Sequence, residues 1–368
     1  MNLPLDVVIA PDSFKGSLDA KSVASAAARG WLTVRPHDRV RVLPQADGGE
    51  GTLDAVAAAV PNALRRDVGS VTGPDGRPTP GEWLELPGSI GVVELAQCSG
   101  LPLMRTLDPL GATTRGLGET IRHALDQGIG SLIIGLGGSA STDGGAGALR
   151  ALGLGLADSE GSQLDDGGAA LIELACIDAS AFRAPPSEGV TLLADVTAPL
   201  LGDNGAAAVF APQKGADVSE IRALERGLSR FAHVLGGAPE APGSGAAGGT
   251  AYGFATVWDA RIESGARVIQ RLTGLTEAID SADVVLTGEG RFDETSTTGK
   301  VVGELLSLAT GRRARVGIIA GRVQSNPAVW SCALSDLAGS AVAAMADPVR
   351  YIEEAGAAAA RHFSAPAP

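Results

Sequence analysis

Residues 5–32 read LDVVIAPDSFKGSLDAKSVASAAARGWL, and two periodicities follow one another within them. Leu5–Ile9 is a short apolar run rich in β-branched residues, which reads as a strand, and Asp19–Leu32 carries a helical pattern after an intervening turn. Arg39–Leu43 repeats the strand, with a polar turn at Gln45–Gly51 and an Ala-rich helix through Val60. Two strand–loop–helix units in succession imply a parallel sheet. Near the far end the rhythm returns: a strand at Asp283–Leu286, a helix at Lys300–Thr310, a strand at Val316–Ala320, a fifth strand at Ser340–Ala344 and a closing helix at Val349–His362.

Between these halves the grammar changes. Turn signals at Gly73–Gly76 and Pro87–Ser89 flank Glu82–Leu86 and Ile90–Leu95, which read as a hairpin. A helix at Thr113–Gln127, a strand at Ser131–Ile134, a helix at Gly147–Leu152, a strand at Thr191–Ala194 and a long helix at Val218–Leu235 follow. The expectation is an α/β protein in which residues 1–68 and 279–368 build one parallel-sheet domain and residues 69–278 form a second α/β domain inserted into it. Two sequential domains divided near residue 180 are the alternative.

Composition narrows the possible functions. With 29 Lys+Arg against 42 Asp+Glu the chain carries a net charge of −13 and has no concentrated cationic stretch, so nucleic acid is not an expected partner. The 3 cysteines are far apart and form no CxxC pair, which supports neither a disulfide framework nor a zinc ribbon and suits a reducing cytoplasm. Met1–Ala10 lacks the length and flanks of a signal peptide, and no apolar run approaches a membrane span. Glycine is the informative excess, 51 residues of 368, and it is clustered.

Ligands of open parallel sheets bind beyond the carboxyl ends of the strands. The loops there pair glycine with charge: Pro11–Ser17 (PDSFKGS), Ala46–Gly51 (ADGGEG), Thr287–Asp293 (TGEGRFD) and Gly321–Arg322. An ordinary turn needs one glycine and a capping residue, so four such loops describe a polar rim able to take anions and metal. Within the inserted region, Ile134–Gly145 (IGLGGSASTDGG) joins a strand to a helix through successive glycines and hydroxyls, an arrangement that suits phosphate oxygens. Ala194–Thr197 (ADVT) ends another strand, and Pro212–Gly215 (PQKG) lies further on. Gly135-x-Gly137-x-x-Ala140 also fits the dinucleotide fingerprint, but in so glycine-rich a chain the match carries little, and Ser141–Thr142–Asp143 is unlike a closely packed Rossmann helix start.

Taken in order along the chain, APDSFKG (10–16), ADGGEG (46–51), GLGGSASTDGG (135–145), PQKG (212–215) and TGEGRFD (287–293) resemble the bacterial glycerate kinases of the glycerate 2-kinase type. The resemblance spans essentially the whole chain. It implies transfer of the γ-phosphoryl group of ATP to D-glycerate, with Mg²⁺, and a flavodoxin-like domain carrying a larger α/β insertion. It favours the 2-hydroxyl as acceptor; the 3-hydroxyl, or a non-catalytic ligand-binding protein keeping the same loops, stay open.

Phosphoryl transfer asks a protein chiefly for positioning and charge neutralisation. On that reading Gly137, Gly138, Ser139, Ser141, Thr142, Asp143 and Gly144 are candidates to cradle the nucleotide phosphates, with Lys214 beside them. Lys15 is expected to neutralise a phosphate or the glycerate carboxylate. Asp47 and Asp195 both end strands and compete for two roles, ligation of Mg²⁺ and acceptance of the substrate hydroxyl proton. Arg291, with its planar fork, suits a carboxylate or phosphate, and Asp293 would hold metal or orient Arg291. Ser13 and Glu289 complete the substrate-binding candidates. The four histidines lie outside these loops and are expected to be structural or surface residues.

Overall fold

Five strands, all parallel, lie in the order Trp330–Ala333, Arg315–Val323, Val284–Phe292, Asp6–Ile9, Arg39–Val42. Counted along the chain this is the order 2-1-3-4-5 of flavodoxin-like sheets, with the switch point between Asp6–Ile9 and Val284–Phe292. Burial is continuous along its central strands, over Val7–Ile9 and Val284–Gly288, as in a sheet covered on both faces. Val7 and Ile9 pack with Trp31, Ile352 and Phe363, contributed by the helices Ala20–Val34 and Pro348–Phe363. Val8 packs on the other face with Ile279 and Leu305, from the helices Leu275–Ser281 and Val301–Ala309. The first two helices touch backbone to backbone: a Cβ on Gly30 would stand 1.9 Å from the carbonyl oxygen of Glu353, and one on Gly356 2.3 Å from that of Ala27.

This computed structural model describes residues 3–297 and 300–364. In it the chain divides into two compact units, one built from Met1–Asp47, Asp54–Pro61 and Ala266–Pro368, the other from Gly48–Leu53 and Asn62–Gly265. The divisions expected from the sequence are 68/69 and 278/279. Local contacts explain the observed ones. Ala278 and Ile279 belong to the core around Val8 and Val285. The short segment from Gly48 is held in the second unit by the Glu94 carboxylate, which accepts the N–H groups of Gly51 and Leu53 at 3.1 and 3.0 Å.

The second unit contains a six-stranded mixed sheet in the order Arg261–Glu263, Val190–Leu193, Ser131–Gly135, Ile90–Glu94, Pro78–Leu86, Leu64–Thr72. The first four are parallel, and the last two join as antiparallel neighbours, the expected hairpin among them. The α/β class therefore stands as the sequence implies. No helix among the described residues is long and apolar enough to cross a membrane.

Two local expectations are corrected. The fifth strand is Trp330–Ala333, whereas Ser340–Ala344 belongs to the helix Ala341–Ala346, whose start is capped by the Ser340 hydroxyl accepting from Ala343 N at 3.1 Å. Val342 in that helix is 80% exposed, which a strand covered on both faces would not allow. The strand expected to stop at Leu286 continues to Phe292, so most of Thr287–Asp293 is strand rather than loop. Its partner strand extends in step, Gly288 pairing with Ile319 and Phe292 with Val323, and satisfies its backbone. The glycines there serve close approach: a Cβ on Gly321 would meet Gly290 O at 2.4 Å.

Candidate active site

In the second unit the strands Ser131–Gly135 and Val190–Leu193 pair in parallel with Gly135 opposite Leu193, so the glycine loop after one and Asp195 after the other leave the same edge of the sheet. Asp195 is half-buried and accepts the Gly265 N–H at 3.0 Å, beyond the neighbouring strand Arg261–Glu263. The loop is shaped by close backbone contacts. Gly137 N donates to Gly48 O at 3.0 Å, and Cβ atoms on Gly135 or Gly137 would lie 2.6 Å from Gly48 O and 2.5 Å from Gly49 Cα. Further on, Leu101 N donates to Gly138 O at 2.9 Å and Ala140 N to Ser99 O at 3.0 Å.

Asp143 is fully buried and spends its carboxylate inside the protein. It accepts from Thr114 Oγ1 at 2.7 Å, Thr114 N at 3.0 Å, Gly145 N at 3.1 Å and Gly147 N at 3.2 Å. It thereby fixes the turn into the helix Ala146–Ala151, with Gly144 and Gly145 at φ of 64° and 80°. Lys214 is likewise buried. Its ammonium donates to Ser139 Oγ at 2.9 Å, Ser141 O at 2.5 Å and, more distantly, Thr142 Oγ1 at 3.5 Å. Burial pulls its pKa down to about 8, opposed by the Asp143 charge.

What this loop leaves open is the telling feature. Among the described residues the amides of Gly138, Ser139, Ser141 and Thr142 donate to no protein acceptor, and Ser141 Oγ is buried without a hydrogen-bond partner. Ser139, Ser141 and Thr142 are buried and Gly138 is exposed; buried donors in native proteins are rarely left unpaired, and free amides on a glycine-rich loop suit the oxygens of an anion such as phosphate. The donor set therefore fits a nucleotide phosphate.

In the first unit the switch point gathers carboxylates. Asp12 N donates to Gly288 O at 2.8 Å, which ties the loop after Asp6–Ile9 to the neighbouring strand, and Asp12 Oδ1 accepts Ser13 N at 2.6 Å. Burial, reinforced by the nearby Asp47 carboxylate, pushes the Asp12 carboxyl up to about 7, against the pull of the Ser13 N–H and of Lys15. Burial also raises Glu289, whose Oε1 is buried with no hydrogen-bond partner among the described residues. Asp47 is half-buried at the end of the turn that Gln45 braces through Leu43 O at 2.9 Å and Thr273 Oγ1 at 3.0 Å.

The cations of these segments, Lys15, Arg291 and Arg322, are exposed. Arg291 has a side chain 63% exposed and pairs with Asp293 through Nε at 3.1 Å. Asp293 is held below the ordinary carboxylate range first by Thr295, whose Oγ1 lies at 2.6 Å, with Arg291 adding to the effect. Arg322 stands opposite Arg291 on the adjacent strand. Lys15 and Arg322 line a cavity of about 190 Å³ whose walls include Phe14, Leu334 and Met345.

Asp12 and Arg322 lie in the loops PDSFKGS and Gly321–Arg322, where residue type alone does not mark them as site residues. Only burial beside Asp47 distinguishes Asp12, and only the register opposite Arg291 distinguishes Arg322. Among the described residues no group of three or more His, Cys, Asp or Glu is arranged to hold a metal ion. Two of the histidines have structural contacts: His123 Nδ1 accepts from Trp83 Nε1 at 3.0 Å, and His362 stacks on Trp330.

These features define a class, an α/β protein with a glycine loop carrying unpartnered amides and a carboxylate-rich switch point. The profile of the Glycerate kinase family matches residues 7–365. Curated relatives include the glycerate 2-kinase of Escherichia coli K12, 42% identical over 306 residues that make up 81% of this chain and 80% of that one. The glycerate kinase of Bacillus subtilis 168 is 41% identical, over 80% of this chain and 79% of its own length. A crystal structure from Salmonella typhimurium LT2 that carries a provisional glycerate kinase 2 name superposes with a TM-score of 0.83 at 35% identity, covering 98% of both chains. The chain belongs to the glycerate kinase family and is an enzyme of the kinase class.

Proposed function

We propose that the enzyme transfers the γ-phosphoryl group of ATP to the 2-hydroxyl of D-glycerate, releasing ADP and 2-phosphoglycerate. The observation that carries this reading is the glycine loop, with its unpartnered amides and the partnerless Ser141 Oγ. It supports a role for Gly137, Gly138, Ser139, Ser141, Thr142 and Gly144 in receiving the phosphates. Kinship with the Escherichia coli enzyme supports glycerate as acceptor and the 2-hydroxyl as its reacting group.

Roles in the first unit follow from charge. Lys15, Arg291 and Arg322 are exposed cations suited to the glycerate carboxylate or a migrating phosphoryl group. Ser13 and Glu289 lie in the same two segments and can bind the glycerate hydroxyls, while Asp293 orients Arg291. Asp47, Asp195 and now Asp12 are the carboxylates available for the substrate proton. Mg²⁺ is held in phosphoryl-transfer sites by one or two carboxylates together with the phosphates themselves, so Asp195 or Asp47 suffices without a ready-made cage. When bound, it would neutralise charge developing on the transferred group.

The test is ADP release from MgATP by the purified enzyme, with and without D-glycerate. ADP formed only with the hydroxy acid supports the reading. Equal ADP with and without it, or none, refutes it.

A further inference from the structure

Lys214 closes the short turn Pro212–Lys214 and is 2% exposed. An ammonium has three protons to donate, and the three oxygens around this one, Ser139 Oγ, Ser141 O and Thr142 Oγ1, all belong to the glycine loop. No donor is left for a ligand. The only charged group acting on it among the described residues is Asp143, whose carboxylate is already committed to Thr114, Gly145 and Gly147. Burying a charge with no carboxylate in direct contact is costly, and an anion seated on the loop would offset that cost.

A hydroxyl that accepts from an ammonium must direct its own hydrogen elsewhere. With the amine charged, Ser139, and more weakly Thr142, turn their hydrogens away from Lys214, on the loop that also carries the partnerless Ser141 Oγ and the unpartnered amides. Such chains of hydrogen bonds strengthen the terminal donor. With the amine neutral, the same hydroxyls could donate inward instead, and the loop would lose outward donors together with the charge.

We propose that Lys214 is a positioning residue for the nucleotide phosphates, acting through the hydroxyls of Ser139 and Thr142 rather than by touching the phosphate. This rests on the nucleotide reading of the loop. It assigns the buried lysine to nucleotide affinity alone and makes that affinity depend on one proton.

The experiment is titration calorimetry of ADP with Mg²⁺ into the full-length enzyme at pH 7, 8 and 9, each in two buffers of different ionisation heat. For the unaltered enzyme, ADP binding at pH 8 is expected to take up a fraction of a proton, and affinity is expected to fall between pH 7 and 9. Lys214→Met is expected to weaken ADP roughly ten- to hundredfold at pH 7 and to abolish the proton uptake, with KM for D-glycerate unchanged. Ser139→Ala keeps the lysine, removes the relay, and is expected to weaken ADP by a smaller factor even where Lys214→Met does not fold. Proton uptake and affinity unchanged in Lys214→Met overturn the inference, as does unchanged ADP affinity in Ser139→Ala. If the unaltered enzyme binds no ADP, the nucleotide reading falls and takes this inference with it; an enzyme that binds ADP without proton uptake at pH 8 defeats this inference alone.

Discussion

Gly137 donates its backbone N–H to the carbonyl of Gly48 at 3.0 Å, joining two glycine motifs far apart in sequence. A side chain at Gly137 would collide with the Gly49 backbone at 2.5 Å, and backbone does not give way as the end of a flexible side chain does. Gly137→Ala is expected to destabilise the second unit by about 1–3 kcal/mol. It should also raise KM for ATP at least tenfold, because a 1 Å displacement of a positioning loop is catalytically expensive. A thermal melt beside a KM measurement checks both; an unchanged KM would contradict the fit of the loop to phosphate.

Asp12 offers a pH signature. A carboxylate accepts a proton only once ionised, and this one ionises near pH 7. With Asp12 as the proton acceptor, kcat/KM for D-glycerate rises through pH 7 and levels off above it. Asp12→Asn then lowers the plateau on the order of a hundredfold or more and removes that rise. A pH–rate profile of the variant that keeps the wild-type rise assigns it to another group.

The same carboxyl makes a stability prediction of definite sign. Its folded pKa of about 7 stands above the unfolded value of 3.8, so the native state holds the extra proton between them. The stabilising contribution is complete below 3.8 and is lost as pH rises through about 7. Asp12→Asn, which mimics the protonated form, should therefore melt higher than wild type at pH 8 and equally at pH 4.

The helix pair Ala20–Val34 and Pro348–Phe363 predicts stability loss without catalytic loss. A methyl at Gly30 would stand 1.9 Å from Glu353 O and must push the helices apart. Gly30→Ala is expected to cost about 1–3 kcal/mol. In a chain of this size that lowers the melting temperature by several degrees, with KM for both substrates unchanged. A normal melting curve would mean that the contact is not tight.

Much of this was legible in the sequence for identifiable reasons. Val7–Ile9 and Val284–Leu286 are apolar on both faces, so period and composition reveal central parallel strands. Leu64–Thr72 was passed over because it is an edge strand, mostly exposed and carrying Arg65, Arg66 and Asp67, with little hydrophobic pattern to find. Thr287–Phe292 looked like a loop because its glycines suggest turns, although their work is to let two strands approach, which only the partner strand reveals.

The site divides in the same way. The glycine loop announced itself by residue type, and the structure adds which of its amides are already taken. Nothing in PQKG says that Lys214 is buried beneath that loop, or that Asp143 is spent on Thr114 and two backbone amides. Asp12 and Arg322 were visible as residues, but their burial and register are properties of the sheet.

Asp47 and Asp195 can be separated by experiment. Asp195→Asn keeps an oxygen for the Gly265 N–H, so its fold should hold. Each Asn variant is expected to lower kcat on the order of a hundredfold or more. The metal ligand will show a raised Mg²⁺ requirement, while the proton acceptor will keep its Mg²⁺ dependence and lose part of its pH profile. Wild-type kcat in both variants would remove both residues from the chemistry.

The central claim is phosphorylation of D-glycerate at the 2-position. Its most direct test is to incubate the enzyme with MgATP and D-glycerate and couple the product to enolase and pyruvate kinase, with no phosphoglycerate mutase present. Enolase uses only the 2-phosphate, so the expected result is pyruvate formed in step with glycerate consumed. ADP formation without any enolase-dependent signal would contradict the claim and point to the 3-hydroxyl.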